Sequence, residues 1–291
     1  MRYQGTKINP ARFDRSQIKF FIVLTLLGAF MVLPILYILS TAFKPMEELF
    51  AYPPRFFVKR PTFDNFRNLF GIVSSSGIPL TRYLFNSIAS SLVMVLSSVF
   101  ISSLAAYVLS KKRFKGKSLL FEINTVALMF VPAAVQIPRY LIIEKLGLLD
   151  TFIVLILPLI AMPVNVFLIK QFVDQVPDSL IEAAKIDGAN DFYVLYKIVM
   201  PIIQPALVTV AILAFQTSWN TPEPSSLYVN DDAGKTFAFY MQAITSITTG
   251  NTVEGQGIAS AASLILFVPN VVIYILMQNK IINTMAFSGI K

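Results

Sequence analysis

The sequence predicts an all-α membrane protein with six transmembrane helices, on three observations. Of its 291 residues 55% are apolar and only 14% are charged, whereas a soluble domain carries about 25% charged residues. Six apolar runs come near the roughly 20 residues that a spanning helix requires. Those runs are continuously apolar over helical lengths, while the strands of a membrane barrel are short and alternating.

The first run, Phe20 to Phe43, is free of charge and follows a basic arm containing Lys7, Arg12, Arg15 and Lys19. It exceeds the about 7 to 15 residues of a signal-peptide core, so it is read as a retained helix. The remaining runs are Leu84 to Leu109, Leu119 to Ile143, Thr151 to Phe172, Pro201 to Trp219 and Gly257 to Asn279, the third and fifth of the six weakened by prolines or polar residues. The organisation is therefore an arm over 1–19, a helix over 20–43, an external segment over 44–83, a five-helix core over 84–279 and a tail over 280–291.

With no histidine and no cysteine, the chain lacks the side chains of a Ser-His-Asp triad, a thiol nucleophile, an HExxH zinc helix or a disulfide framework. No catalytic residue and no metal ligand is assigned. Asp231 and Asp232 form an isolated pair that reads as a turn.

Six spans put both termini on one side of the membrane. That side collects 15 of the 24 basic and seven of the 16 acidic residues, which is the whole net charge of +8. Lys and Arg in short loops mark the inner face, so both termini are expected in the cytoplasm, and the basic excess argues for membrane orientation and against nucleic acid. The six basic residues of the 44–83 segment run against this, although longer translocated segments tolerate charge.

One inner loop, 174–201, has an architecture of its own. Pro177-Asp178-Ser179 starts a short helix, with Ser179 and Glu182 spaced as a capping box and Gly188 as its end. Leu180, Ile181, Ala184 and Ile186 give it an apolar stripe. Asn190 or Asp191 caps a second helix through Phe192, Tyr193, Leu195, Tyr196 and Ile198, and Pro201 leads into the next span. An apolar-faced hairpin outside the bilayer needs a cover, from the membrane surface, its own bundle or a partner.

Glu182-Ala183-Ala184, three residues, Gly188, nine residues, Ile198, one residue and Met200-Pro201 resemble the EAA motif of importer-type ABC transporter permeases, with Met200 in place of the usual leucine. Asp187-Gly188-Ala189 and the tail pattern Ile282-Asn283-Thr284-Met285 with Ser288-Gly289-Ile290-Lys291 are similar to the carbohydrate-uptake subfamily.

The resemblance implies a type I ABC importer permease fold in the bacterial cytoplasmic membrane. Glu182, Ala183, Ala184, Asp187, Gly188 and Ala189 would form a cytoplasmic coupling helix seated in an ATPase subunit. The implied partners are a second homologous permease, two ATPase subunits, an external solute-binding protein, membrane lipid and a carbohydrate substrate. ATP and Mg would bind the ATPase subunits, with no cofactor in this chain. Alternatives are a permease for a non-sugar solute and an ion-coupled carrier acting alone. The scarcity of acidic residues inside the spans, where proton or sodium relays are built, weighs against the carrier.

Lys115-Gly116-Lys117-Ser118 ends like a phosphate-binding loop but has lysine at 111 where the first glycine belongs, so it reads as a set of inner anchors. Gln136 with Arg139, Asn165, and Gln216 with Thr217 are polar positions within spans and hence candidates for a translocation path, with interhelical hydrogen bonding as the structural alternative. Arg139 is expected near water at the external end of its helix. Pro132, Pro138, Pro158 and Pro163 are expected to kink the third and fourth spans, and Gly257, Ala261 and Ala262 to form a small packing face. Trp219 is expected in an interfacial aromatic belt.

Overall fold

The computed structural model describes residues 17–71, 77–248 and 253–288. The arm up to Ser16 and the terminal Gly289, Ile290 and Lys291 lie outside the described residues. The elements are helices α1 (Ile18–Ala42), α2 (Met46–Leu49), α3 (Asp64–Gly71), α4 (Leu80–Lys111), α5 (Lys117–Ala127), α6 (Gln136–Lys145), α7 (Leu157–Ile160), α8 (Pro163–Asp174), α9 (Asp178–Ile186), α10 (Asp191–Tyr193), α11 (Met200–Ile202), α12 (Gln204–Asn220), α13 (Glu223–Tyr228), α14 (Phe237–Thr248) and α15 (Val253–Ser288). Short 3₁₀ turns occupy Pro132–Val135, Phe152–Leu155 and Asp232–Gly234, and no strand occurs among the described residues.

Three helices are long and apolar enough to cross a bilayer unaided: α1, α4 and the Gly255–Gln278 part of α15, with mean hydropathies of 2.6, 2.2 and 2.1. Six spans result when three bent pairs count as one span each. Leu119 to Ile143, expected as one helix, is instead α5 and Pro132–Lys145, meeting at 111°. The cause is local: a residue before proline avoids the α region, and Val131 is extended at φ −74°, ψ 130°. Met162 before Pro163 is likewise extended, and the fourth span bends there by 52°. Pro138 produces no break within α6. A third bend, 87° between Asp191–Ile202 and Gln204–Asn220, lies at Ile203 between Pro201 and Pro205.

The described residues within Met1–Asn68 and Asn251–Leu264 form one compact unit, and those within Leu69–Gly250 and Ile265–Lys291 form another. In the first unit, α1 is exposed along nearly all of its apolar length, as a helix facing lipid is. Its carboxyl end is closed by Asn65, whose amide donates to the carbonyls of Thr41, Ala42 and Lys44 at 3.5, 3.0 and 2.8 Å. Thr41 and Ala42 are in the last turn, whose carbonyls have no partner within the helix, and the Thr41 carbonyl also accepts from the Lys44 amide at 3.2 Å. Gly257 permits this arrangement, because a β-carbon there would stand 2.5 Å from Asn65 Oδ1. Ala261 and Ala262 are fully buried, in keeping with the small packing face. The chain after α1 folds back on that end: Ser40 Oγ donates to the Phe56 carbonyl and accepts from the Val58 amide, and Glu48 accepts from the Lys59 and Arg60 amides.

In the second unit α4 is the central helix. Ser87, Ser91, Ser98 and Ser102 are buried along it, and such small residues let α8 and α12 approach closely. Ser91 bonds Ser218 of α12, and Ser98 accepts from Asn165 of α8. One apolar cluster, with Ala106, Ile169, Val173, Val194 and Val199, lies at one end of these helices. Another, with Met94, Ile143, Val154, Ala214 and Tyr228, holds α6 and α13. Trp219 belongs to this interior and not to an aromatic belt. It is 3% exposed, stacks on Phe215, and its indole N–H donates to the Leu266 carbonyl at 2.9 Å.

Candidate functional site

The hairpin from Asp178 to Ile202 is the most distinctive local structure of the second unit. Its first helix starts two residues earlier than the capping-box spacing implies: Pro177, not Ser179, occupies the cap position in an extended conformation and no side chain caps the turn. Asp178 at the first helical position supplies the negative charge that a helix start favours, and its carboxylate turns to Lys111.

The helix ends in a complete Schellman motif. The Ala189 amide donates to the Ala184 carbonyl at 2.9 Å and the Gly188 amide to the Lys185 carbonyl at 3.0 Å. Gly188 takes φ +84° there, a left-handed conformation that costs residues with a β-carbon. Asn190 then caps the second helix by accepting from the Tyr193 amide at 2.8 Å, which decides between Asn190 and Asp191. This helix contains a π segment, Val194–Val199, burying Val194, Leu195 and Val199. Such segments are rare and recur at functional sites.

The two faces of the hairpin differ sharply. Ile181 is 6% exposed and joins the cluster with Val173, Val176 and Val194, with Ala184 and Ala189 packed against it. Glu182, Ala183, Asp187 and Gly188 are exposed, and Ile186 at the tip is 87% exposed. Phe192, Tyr193 and Tyr196 extend this exposed apolar surface. Glu182 forms no ion pair among the described residues. The unit thus buries one side of the hairpin and leaves the other without a cover.

Two lysines at the end of α4 clamp the hairpin at both of its starts. Lys111 Nζ donates to the Val176 carbonyl at 2.6 Å and to Asp178 Oδ1 at 2.8 Å. Lys112 Nζ lies 2.5 Å from Asp191 Oδ1, and Lys185 reaches the same carboxylate at 3.7 Å. The hydrogen bond from Lys111 holds the Asp178 carboxyl below the ordinary carboxylate range, and that from Lys112 does the same for Asp191. In return, Asp191 raises the Lys112 ammonium above its usual value. From sequence alone Lys111 and Lys112 are only inner-face basic residues; the paired Asp178 and Asp191 lie more than 60 residues away, beyond any local pattern.

The polar positions considered for a path are dispersed. Asn165 is fully buried and donates to Ser98 Oγ at 2.8 Å, so its amide serves as an interhelical contact here. Gln216 is exposed, Thr217 and Gln136 are half-buried, and no hydrogen bond joins these residues to one another among the described residues. Arg139, expected to reach water, is instead paired with Glu223 of α13 at 3.4 Å, both side chains being about three-quarters buried. Asp150, absent from the sequence reading, fixes the loop after α13 by accepting from the amide and side chain of Asn230 and from the Asp231 amide. No cluster of metal ligands occurs among the described residues.

Several apolar helices, among them three bent pairs, together with a clamped and exposed hairpin define a multi-pass membrane protein. Residues 98–279 match the family described as the binding-protein-dependent transport system inner membrane component, and the chain belongs to that family. It is a permease subunit of an ABC importer. It is 31% identical over 277 residues to Protein LplC of Bacillus subtilis, covering 91% of this chain and 90% of that one. The trehalose transport system permease protein SugB of Mycobacterium tuberculosis is 30% identical, with 92% and 95% covered. Among solved structures, a chain of a bacterial ABC transporter involved in the import of alginate matches with a TM-score of 0.77. It is 23% identical, and the match covers 92% of this chain and 98% of that one, a likeness of fold.

Proposed function

We propose that this permease moves a carbohydrate across the bacterial cytoplasmic membrane by alternating access. The 178–202 hairpin and both termini would face the cytoplasm, with α9 as the helix that an ATPase subunit grips. The observation that carries the coupling role is the hairpin's uncovered face, in which Glu182, Ala183, Asp187 and Ile186 are exposed while Ile181 and the lysine clamp tie the opposite side to α4. A push on α9 then reaches α4 through ion pairs and close packing, with little slack.

The carbohydrate assignment is supported by the relatives, which include permeases for trehalose and arabinooligosaccharides. The chain would perform no hydrolysis itself; two ATPase subunits would supply ATP and Mg²⁺, and a second permease and an external solute-binding protein would complete the transporter. Gln136, Asn165, Gln216 and Thr217 remain the proposed polar positions of the path, Asn165 through rearrangement of its bond to Ser98.

The test is uptake in proteoliposomes. Radiolabelled oligosaccharide should enter only with the binding protein, both permeases, the ATPase subunits and ATP present. Uptake by this chain alone, driven by an ion gradient, would sink the proposal in favour of a carrier. Uptake of only a non-sugar solute by the full assembly would remove the substrate assignment and leave the coupling intact.

A further inference from the structure

Just past the end of α1, within the first unit, a half-polar cavity of about 270 Å³ is lined by Tyr37, Thr41, Lys44, Glu48, Arg55 and Gln256, with Leu49, Pro54 and Phe56 completing the wall. Two of its features lack a structural explanation. Lys44 is 5% exposed, yet among the described residues its ammonium makes no ion pair; it feels the Glu48 carboxylate only at longer range, donates to the Arg55 carbonyl and sits 5.6 Å from the centre of the Tyr37 ring. Thr41 is 3% exposed and its hydroxyl has no hydrogen-bond partner among the described residues. A buried charge and a buried hydroxyl left in this state are costly, and such groups are normally satisfied.

Neither is needed to close the helix, because Asn65 already takes the terminal carbonyls of α1. Glu48 does not neutralise the cavity fully. Its two oxygens accept from the Lys59 and Arg60 amides, which hold the carboxylate in place, and against the two cationic lining residues Lys44 and Arg55 its single charge leaves a formal excess of one positive charge. An occupant that balanced this excess would be a singly charged anion with oxygen acceptors, of the phosphodiester class. The cavity opens where a 25-residue helix long and apolar enough to cross a bilayer ends, a position that would fall in the headgroup layer. With the termini in the cytoplasm, as proposed, this is the external headgroup layer, and a pocket with an excess ammonium or guanidinium there suits a phosphate, whose oxygens take charge-assisted hydrogen bonds from such groups.

We propose that this cavity binds the phosphate of a phospholipid headgroup, with the Lys44 ammonium and the Thr41 hydroxyl as donors. The lipid would anchor the folded 44–63 segment to the membrane surface. This does not rest on the identity of the transported solute.

Phosphatidylglycerol titrated into the purified full-length chain in detergent, with retained lipid counted by native mass spectrometry, tests the assignment. Lys44→Met should weaken retention of one lipid about tenfold, the loss expected for a charge-assisted hydrogen bond. Thr41→Val, which removes an unpartnered hydroxyl, should weaken retention without lowering the unfolding midpoint of the lipid-free chain. The exposed Lys59→Met should retain lipid as the parent does. Inorganic phosphate at equal concentration should not displace the lipid; if it does, a free anion is the ligand and the lipid assignment fails. Equal retention by the parent, Lys44→Met and Thr41→Val, or an equal loss in Lys59→Met, overturns the site.

Discussion

Replacing Gly188 separates backbone conformation from steric bulk, because a β-carbon there would meet no atom within 4 Å. All of the cost then comes from φ +84°. A left-handed conformation costs a residue with a β-carbon about 1–2 kcal/mol, so Gly188→Ala should favour local opening of the turn by roughly 5- to 30-fold. Asparagine tolerates this region better and a β-branched residue worse. Opening should therefore increase in the order Gly, Asn, Ala, Val. The readout is hydrogen exchange at the Ala189 amide, which is held on the Ala184 carbonyl at 2.9 Å, measured in the assembled transporter beside solute moved per ATP hydrolysed. Transport stoichiometry should fall in the same order while ATP hydrolysis persists. Wild-type exchange in both Gly188→Ala and Gly188→Val would refute the conformational argument, and changed exchange with unchanged stoichiometry would refute the link to coupling.

Lys111→Met together with Lys112→Met should release the hairpin and speed proteolysis between 175 and 203 severalfold. The carboxylates of Asp178 and Asp191 have lowered folded-state values, so their contribution is complete above the ordinary 3.8 and is lost as pH falls through the lower folded values; intrinsic-rate-corrected exchange in the hairpin should stay flat from about pH 8 to 5, and a rise within that range would contradict the clamp. Gly257→Ala should displace Asn65 from the end of α1 and destabilise the first unit by about 1–3 kcal/mol, as for acceptors left unmade, seen as a lower unfolding midpoint that Gly257→Ser does not restore. The lone tryptophan, Trp219, should emit at short wavelength and resist acrylamide, and Trp219→Phe should cost about 1 kcal/mol through the lost bond to Leu266; strong quenching would restore the interfacial placement.

Local signals in the sequence are legible where the physics is local, although the Ser179–Glu182 capping box is not formed and Pro138 breaks nothing. The uninterrupted apolar runs became α1, α4 and α15, Asn190 and Gly188 bound the two helices of the hairpin, and Pro132 and Pro163 broke their spans as a missing amide and a restricted preceding residue require. The 111° angle at Val131 was not legible, because an apolar run with prolines specifies a break but no direction. Long-range partners were hidden for the same reason: Lys111 and Lys112 resemble any inner-face anchors until Asp178 and Asp191 are brought beside them. Trp219 illustrates a third limit, since tryptophan at a helix end suits an interface equally well until Leu266 offers its carbonyl. The 44–63 segment carries no periodic signal and is organised by side-chain bonds from Ser40, Glu48 and Asn65.

The hairpin's role as the ATPase grip is most directly tested by Ile186→Cys, since the chain has no cysteine and Ile186 is 87% exposed. Maleimide labelling of this single thiol should be fast in the permease without its ATPase subunits and at least tenfold slower in the complete transporter. Equal labelling rates in the two would place the ATPase elsewhere and contradict the account.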